Sequence, residues 1–155
     1  MIEVSVDPKV IELSKSRAIK MGVINNSIMQ GDGSIAGFVG EYVTADILNG
    51  EVMDTYDYDI LLRNYDTVDV KTKRVSSAPK DYYSCSVANY NTKQKCNYYA
   101  FTRVLNNMSK AWYLGKIHRE RFYDIATFHK KGDVDPDNSF IFRADCYNIP
   151  IRELE

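Results

Sequence analysis

The sequence predicts a single α/β domain spanning residues 1–155, with a mixed central sheet flanked by helices and extra strands toward the C-terminus. Three observations predict it. Apolar residues recur at helical spacing up to residue 48. From residue 57 onward, apolar and aromatic residues gather in short runs of strand type. Nothing between them reads as a linker, a repeat or a low-complexity segment. A chain of 155 residues can bury one sizeable core and is short for two.

Asp7-Pro8 opens the first helix, an acid able to cap it followed by proline at the first helical position. Val10, Ile11, Leu13, Ala18, Ile19 and Met21 follow at roughly helical spacing as far as Gly22. The composition of 25–34 is that of a loop. A second helix starts near Ser34. Ile35, Phe38, Val39, Tyr42, Val43, Ile47 and Leu48 trace its apolar stripe, and Asn49-Gly50 ends it. Gly37 and Gly40 lie one turn apart on this helix, where a bare backbone lets a neighbour approach closely.

Strands follow at 57–63 and 66–73, joined by a turn at Arg63-Asn64-Tyr65-Asp66. A loop at 76–81 leads to strands at 82–87 and 97–105, rich in aromatic and β-branched residues. The polar, basic stretch 88–95 between them reads as a loop or one short helix. A strand at 111–117, a short helix at the start of 119–128, a turn-rich loop at 130–138 and a last strand at 139–150 complete the reading.

Composition excludes several classes. Hydrophobic content of 45% and charged content of 26% belong to an ordinary water-facing globular chain. No apolar run approaches the ~20 residues that span a bilayer, so no membrane association is expected. The N-terminal MIEVSVDPKV lacks the basic and apolar regions of an export signal. Cys85, Cys96 and Cys146 are odd in number and share no metal-type spacing. The expectation is free thiols in a reducing cytoplasm. Charge is distributed unevenly. Residues 1–70 hold 5 Lys and Arg against 12 Asp and Glu, residues 71–131 hold 13 against 3, and residues 132–155 hold 2 against 6. The middle segment, at a net +10, reads either as a surface facing a polyanion or as lysines spread around the fold.

The most informative stretch is DYDILLRNYDTVDVKTK, residues 57–73. On a strand, Asp69 and Lys71 share a face while Val70 points into the core. Asp59 begins the preceding strand, where pairing brings it beside Asp69; Asp57, two residues earlier on the same face, is the alternative. Two carboxylates ~4 Å apart repel by about 4 kcal/mol at an effective dielectric of ~20. A proton or a hard cation such as Mg²⁺ between them removes that cost. A neighbouring lysine can hold a water or neutralise charge developing on a phosphate. Such a set suits metal-dependent phosphodiester hydrolysis.

With Asp59, then Asp69-Val70-Lys71 ten residues on, and Gly40-Glu41 in the helix before them, the chain resembles the PD-(D/E)xK nuclease superfamily. The resemblance covers residues 34–105 and implies a restriction-endonuclease-like core. It implies that Asp59, Asp69 and the Val70 carbonyl bind Mg²⁺ or Mn²⁺, that Lys71 is the catalytic lysine, and that Glu41 joins the metal site through water. The activity it implies is endonucleolytic cleavage of DNA, with a homodimer left open. The family's second helix would have to fit within 88–96. Lys73, Arg74, Lys93 and Lys95 are candidate nucleic-acid contacts. Tyr82, Tyr83, Tyr90, Tyr98 and Tyr99, interleaved with basic residues, can stack on unpaired bases or fill the core. Two other readings keep the fold without catalysis: a nucleic-acid-binding module, and a structural protein of a phage-type assembly. No Ser-His-acid order and no P-loop is present.

Overall fold

A computed structural model describes residues 1–21, 32–135 and 139–155, with only the backbone of 32–34. In chain order the elements are β1 (Ile2–Ser5), α1 (Pro8–Lys20), α2 (Asp32–Leu48), β2 (Glu51–Val52), β3 (Ile60–Leu61), β4 (Thr67–Val75), β5 (Ser84–Ala88), β6 (Tyr98–Leu105), β7 (Lys110–His118), α3 (Arg119–Ile125), β8 (Thr127–His129) and β9 (Cys146–Pro150). Short 3-10 helices cover Asn89–Lys93 and Ile151–Glu153. The chain is α/β. Its larger sheet has six strands in the order β1-β7-β6-β4-β3-β2, and a smaller one runs β5-β9-β8. The larger sheet is mixed: β4 and β6 run parallel and the other pairings are antiparallel.

Two parallel neighbours need a long crossover between them. Here it is 76–97, and the chain uses that length to build β5 and the first 3-10 helix over one face of the sheet. The other face is covered by α2, backed by α1. Ala36, Val39 and Val43 of α2 pack with Val104, Ala111 and Val6. Ala45 joins Ile60, Val68, Val70, Ala100 and Tyr113. On the crossover side, Tyr99, Phe101, Leu114 and Ile117 meet Phe122 of α3 and Cys85, Val87 and Ile149 of the smaller sheet. The main sheet is thus buried on both faces.

Local signals account for the helices. The Asp7 carboxylate accepts from Lys9 N at 2.8 Å, and Pro8 sits in the first turn of α1. Asn49 adopts φ 52° and Gly50 N reaches Ala45 O at 2.9 Å, closing α2 as Asn49-Gly50 predicts. Gly40 is where α2 touches the sheet: a Cβ there would run into Thr72 Oγ1 and come within 2.9 Å of its Cγ2. Gly37 has open space around it, so the close approach belongs to Gly40 alone of the pair. At the 63–66 turn, Tyr65 takes φ 67° and Asp66 N donates to Asn64 Oδ1 at 3.2 Å.

The structure corrects the strand reading in four places. The run expected at 57–63 pairs as strand only at Ile60–Leu61, with the backbone of Asp59 adding one bond to Val68 O at 2.9 Å. The run at 82–87 becomes β5 only from Ser84 to Ala88 and pairs with β9, while the parallel neighbour of the DxK strand is β6. The expected strand 139–150 narrows to Cys146–Pro150, because the preceding residues make only the isolated bridge Val134–Ile141. Three strands, β1 on β7, β2 on β3 and β8 on β9, had no expectation. The stretch 88–95 does form one short helix, a 3-10 turn. The loop expected at 25–34 lies largely outside the described residues, as do 136–138 of the loop at 130–138. The three thiols are free and buried. No helix among the described residues is long and apolar enough to cross a membrane.

Candidate active site

Strand β4 places the DxK residues by alternation. Val68 and Val70 face α2 in the apolar cluster, so Asp69 and Lys71 face the crossover side. Asp69 is only 2% exposed. Lys71 Nζ lies 2.6 Å from Asp69 Oδ2 and donates to Gln94 Oε1 at 3.1 Å. Gln94 in turn donates through Nε2 to Tyr56 O at 3.0 Å. The crossover thus closes over β4 and holds the lysine in place. Sequence reasoning missed Gln94, since a polar residue in a connecting segment carries no periodic signal.

Asp59 enters from the neighbouring strand. Strand β3 stops at Ile60, and beyond it the Asp59 side chain takes the place of a strand partner: its Oδ2 accepts from Val70 N at 2.7 Å. The N–H and C=O of one strand residue point to the same neighbour. The Val70 carbonyl therefore faces the side on which Asp59 lies. Asp57 is engaged elsewhere, accepting from Lys95 N at 3.1 Å. Of the two aspartates, Asp59 is the one that lies against the DxK strand.

Glu41 reaches the same region from α2. It is 9% exposed and forms an ion pair with Nη1 of Arg17 on α1. Arg17 also donates through Nη2 to Asp54 Oδ1 at 2.6 Å, and its guanidinium lies 4.2 Å from the Phe38 ring centroid. Arg17 is a second residue that sequence reasoning missed. It is 24 residues from Glu41, and only the packing of α1 on α2 joins them.

The electrostatics follow from this crowding. Burial, and then the charge of Asp69, push the Asp59 carboxyl up to about 6. Burial, and then Asp59, push Glu41 up to about 8 against the pull of Arg17. Burial raises Asp69 as well, with Lys71 opposing. Three largely buried carboxyl groups thus face two half-buried cations, Lys71 and Arg17. Among the described residues, the close partner of Asp69 Oδ2 is the Lys71 ammonium at 2.6 Å. Carboxyls crowded and buried so that their ionised forms are disfavoured fit a hard cation, which would favour those ionised forms. Among the described residues no three Asp, Glu, His or Cys side chains converge into a cage, so the available donors are two carboxylates and a carbonyl. Cys96 lies beside this set. Burial, and then Asp69, push its thiol up to about 12, which leaves it protonated and inert.

The remaining candidates fall in different places. Lys93 and Lys95 are exposed on the crossover near Gln94. Lys73 is exposed, on the same strand face as Lys71 and one repeat further along. Arg74, next along β4, donates to Asn106 O at 2.8 Å. Tyr82, Tyr83 and Tyr90 are exposed, whereas Tyr99 is fully buried and bonds Tyr123 through its hydroxyl at 2.8 Å. The tyrosines thus divide between surface and core. Compared with known proteins, the chain matches no family model and no curated protein.

Proposed function

We propose that the chain is a metal-dependent endonuclease hydrolysing phosphodiester bonds of DNA, built on a restriction-endonuclease-like core. The observation that carries the reading is the convergence of Asp59, Asp69 and Lys71, two largely buried carboxylates beside one lysine. The succession of α2, a short strand led by Asp59, the DxK strand and a parallel β6 supports it.

Asp59, Asp69 and the Val70 carbonyl would hold Mg²⁺ or Mn²⁺. When bound, the ion would favour the ionised carboxylates and polarise a phosphate oxygen. The Val70 N–H keeps the Asp59 carboxylate oriented. Lys71, steadied by Gln94, donates to the attacking water or to the phosphate oxygen on which charge grows. Glu41 contributes through water, and Arg17 fixes its direction. Lys93 and Lys95, exposed on the crossover, would meet the DNA backbone.

A binding module without catalysis is the rival reading, favoured by one observation: Lys71 already neutralises Asp69 at 2.6 Å. Incubation with supercoiled plasmid, branched DNA and single-stranded DNA, with Mg²⁺ or with a chelator, separates the two. The nuclease reading expects cleavage of at least one substrate in Mg²⁺ and none in chelator. Retained but uncut DNA in every Mg²⁺ reaction would support the rival.

A further inference from the structure

Between β4, β6 and the smaller sheet, apart from the carboxylates, opens a cavity of about 890 Å³. Ligand pockets commonly span ~300–1,000 Å³. Lys73, Arg103, Ser84, Ser86, Tyr83 and Asn148 line it, with Arg74 and Asp135 at its wall. Lys73 follows Lys71 on the same strand face, so the cavity begins about 7 Å along β4 from the catalytic lysine.

Arg103 is the unusual residue. It is 5% exposed, yet among the described residues its guanidinium donates to the backbone carbonyls of Ser84 at 2.8 Å and Thr102 at 3.3 Å and to the Cys85 sulfur at 3.9 Å. That sulfur is no counter-ion. Burial pushes the Cys85 thiol up to about 11, against the opposing pull of Arg103, so it stays protonated at neutral pH. Among the described residues no carboxylate pairs with Arg103 or with Lys73. A buried cation without an anion is costly, and the arginine fork matches phosphate geometry.

The remaining walls extend the chemistry. Ser84 and Ser86 alternate along β5 and so present their hydroxyls on one face. Tyr83 and Phe140 are 39% and 46% exposed at the rim, and Tyr83 is braced edge-on by Tyr82 at 5.0 Å. Aromatic faces in such a place stack on bases. Asn148 is 7% exposed, and among the described residues its amide oxygen accepts from no donor. The amino group of a base supplies such a donor.

We propose that this cavity binds one nucleotide unit, its phosphate on Arg103 and Lys73 and its base between Tyr83 and Phe140. The site goes beyond the cleavage reading and does not depend on it. The unit is either a free nucleotide or an unpaired residue of a strand.

Titration calorimetry in chelator, where no metal-dependent cutting occurs, tests the site with four probes: deoxyadenosine monophosphate, deoxyadenosine, inorganic phosphate and a short single strand. The monophosphate should bind, and the nucleoside and phosphate alone should each bind at least about tenfold more weakly. Lys73→Gln and Tyr83→Ala, both at exposed positions, should each weaken the monophosphate by about tenfold. Arg103→Gln should abolish binding with its circular dichroism unchanged; if it misfolds, the two exposed variants carry the test. A strand that competes with the monophosphate identifies the ligand as part of a strand, and one that does not identifies it as a free nucleotide. The site is overturned if the monophosphate does not bind or if both exposed variants bind as tightly as wild type. Equal affinity for phosphate and monophosphate overturns the nucleotide assignment. None of these results touches cleavage at Asp69 and Lys71.

Discussion

Burial and then the charge of Asp69 disfavour the Asp59 carboxylate, the Val70 N–H holds it, and its protonation reports the balance. Its folded value of about 6 lies above the ordinary 3.8, and that of Glu41, about 8, lies above 4.5. Between those values the folded chain binds more protons than the unfolded one, so their contribution to stability is present in acid and is lost as pH rises. Thermal melts in chelator should therefore show stability falling between pH 4 and pH 8. Asp59→Asn should flatten that fall, and a wild-type slope in this variant would contradict the coupling. A cation binding the folded chain acts in the opposite direction, stabilising by about 2.7 kcal/mol at a hundred times its dissociation constant. Asp69→Asn should remove the Mg²⁺-dependent melting shift while leaving the apo protein folded. A shift of undiminished size would place the ion elsewhere.

Among the elements, α2 is the one on which the site depends most. Gly40 lets its backbone lie against Thr72, one residue past Lys71, so the helix carrying Glu41 and the strand carrying the DxK residues are set by one contact. Adding a methyl in a packed interface costs ~1–3 kcal/mol. Gly40→Ala should lower stability by that amount, while Gly37→Ala, with open space around it, should be neutral or slightly stabilising by helix propensity. Equal melting temperatures for the two variants would remove the contact from the account. The helices were legible because their stripes and caps are local. The DxK strand was legible because its alternation is local too. The partner of β5 was not, since β9 lies some 60 residues downstream and nothing in SCSVA names it. Strand β2 is two residues long, too short for any alternation to show.

For the whole molecule, the +10 middle segment divides by topology into separate roles. Lys93 and Lys95 stand exposed on the crossover, Lys71 is drawn inside to Asp69, and Arg103 is buried beneath the cavity. DNA affinity should fall with salt at a log–log slope of about −0.9 per phosphate neutralised on duplex. Replacing Lys93 and Lys95 by alanine should flatten that slope by up to about two units, measured by titration across ionic strength. An unchanged slope would move the DNA surface away from the crossover. Sequence spacing alone brought Asp59, Asp69, Lys71 and Glu41 into consideration. Arg17 and Gln94 were not legible, because each reaches the site through tertiary packing rather than through a pattern on its own segment.

The central claim is that Lys71 acts on the phosphate while Asp59 and Asp69 hold the ion. Single-turnover cleavage of DNA in saturating Mg²⁺, for wild type, Lys71→Ala and Lys73→Ala, tests it most directly. Losing one stabiliser of developing charge typically costs ~10²–10³ in rate. Lys71→Ala should lose that much while keeping the Mg²⁺-dependent melting shift, and Lys73→Ala should change the chemical step far less. A Lys71→Ala protein that cuts as fast as wild type would contradict the account.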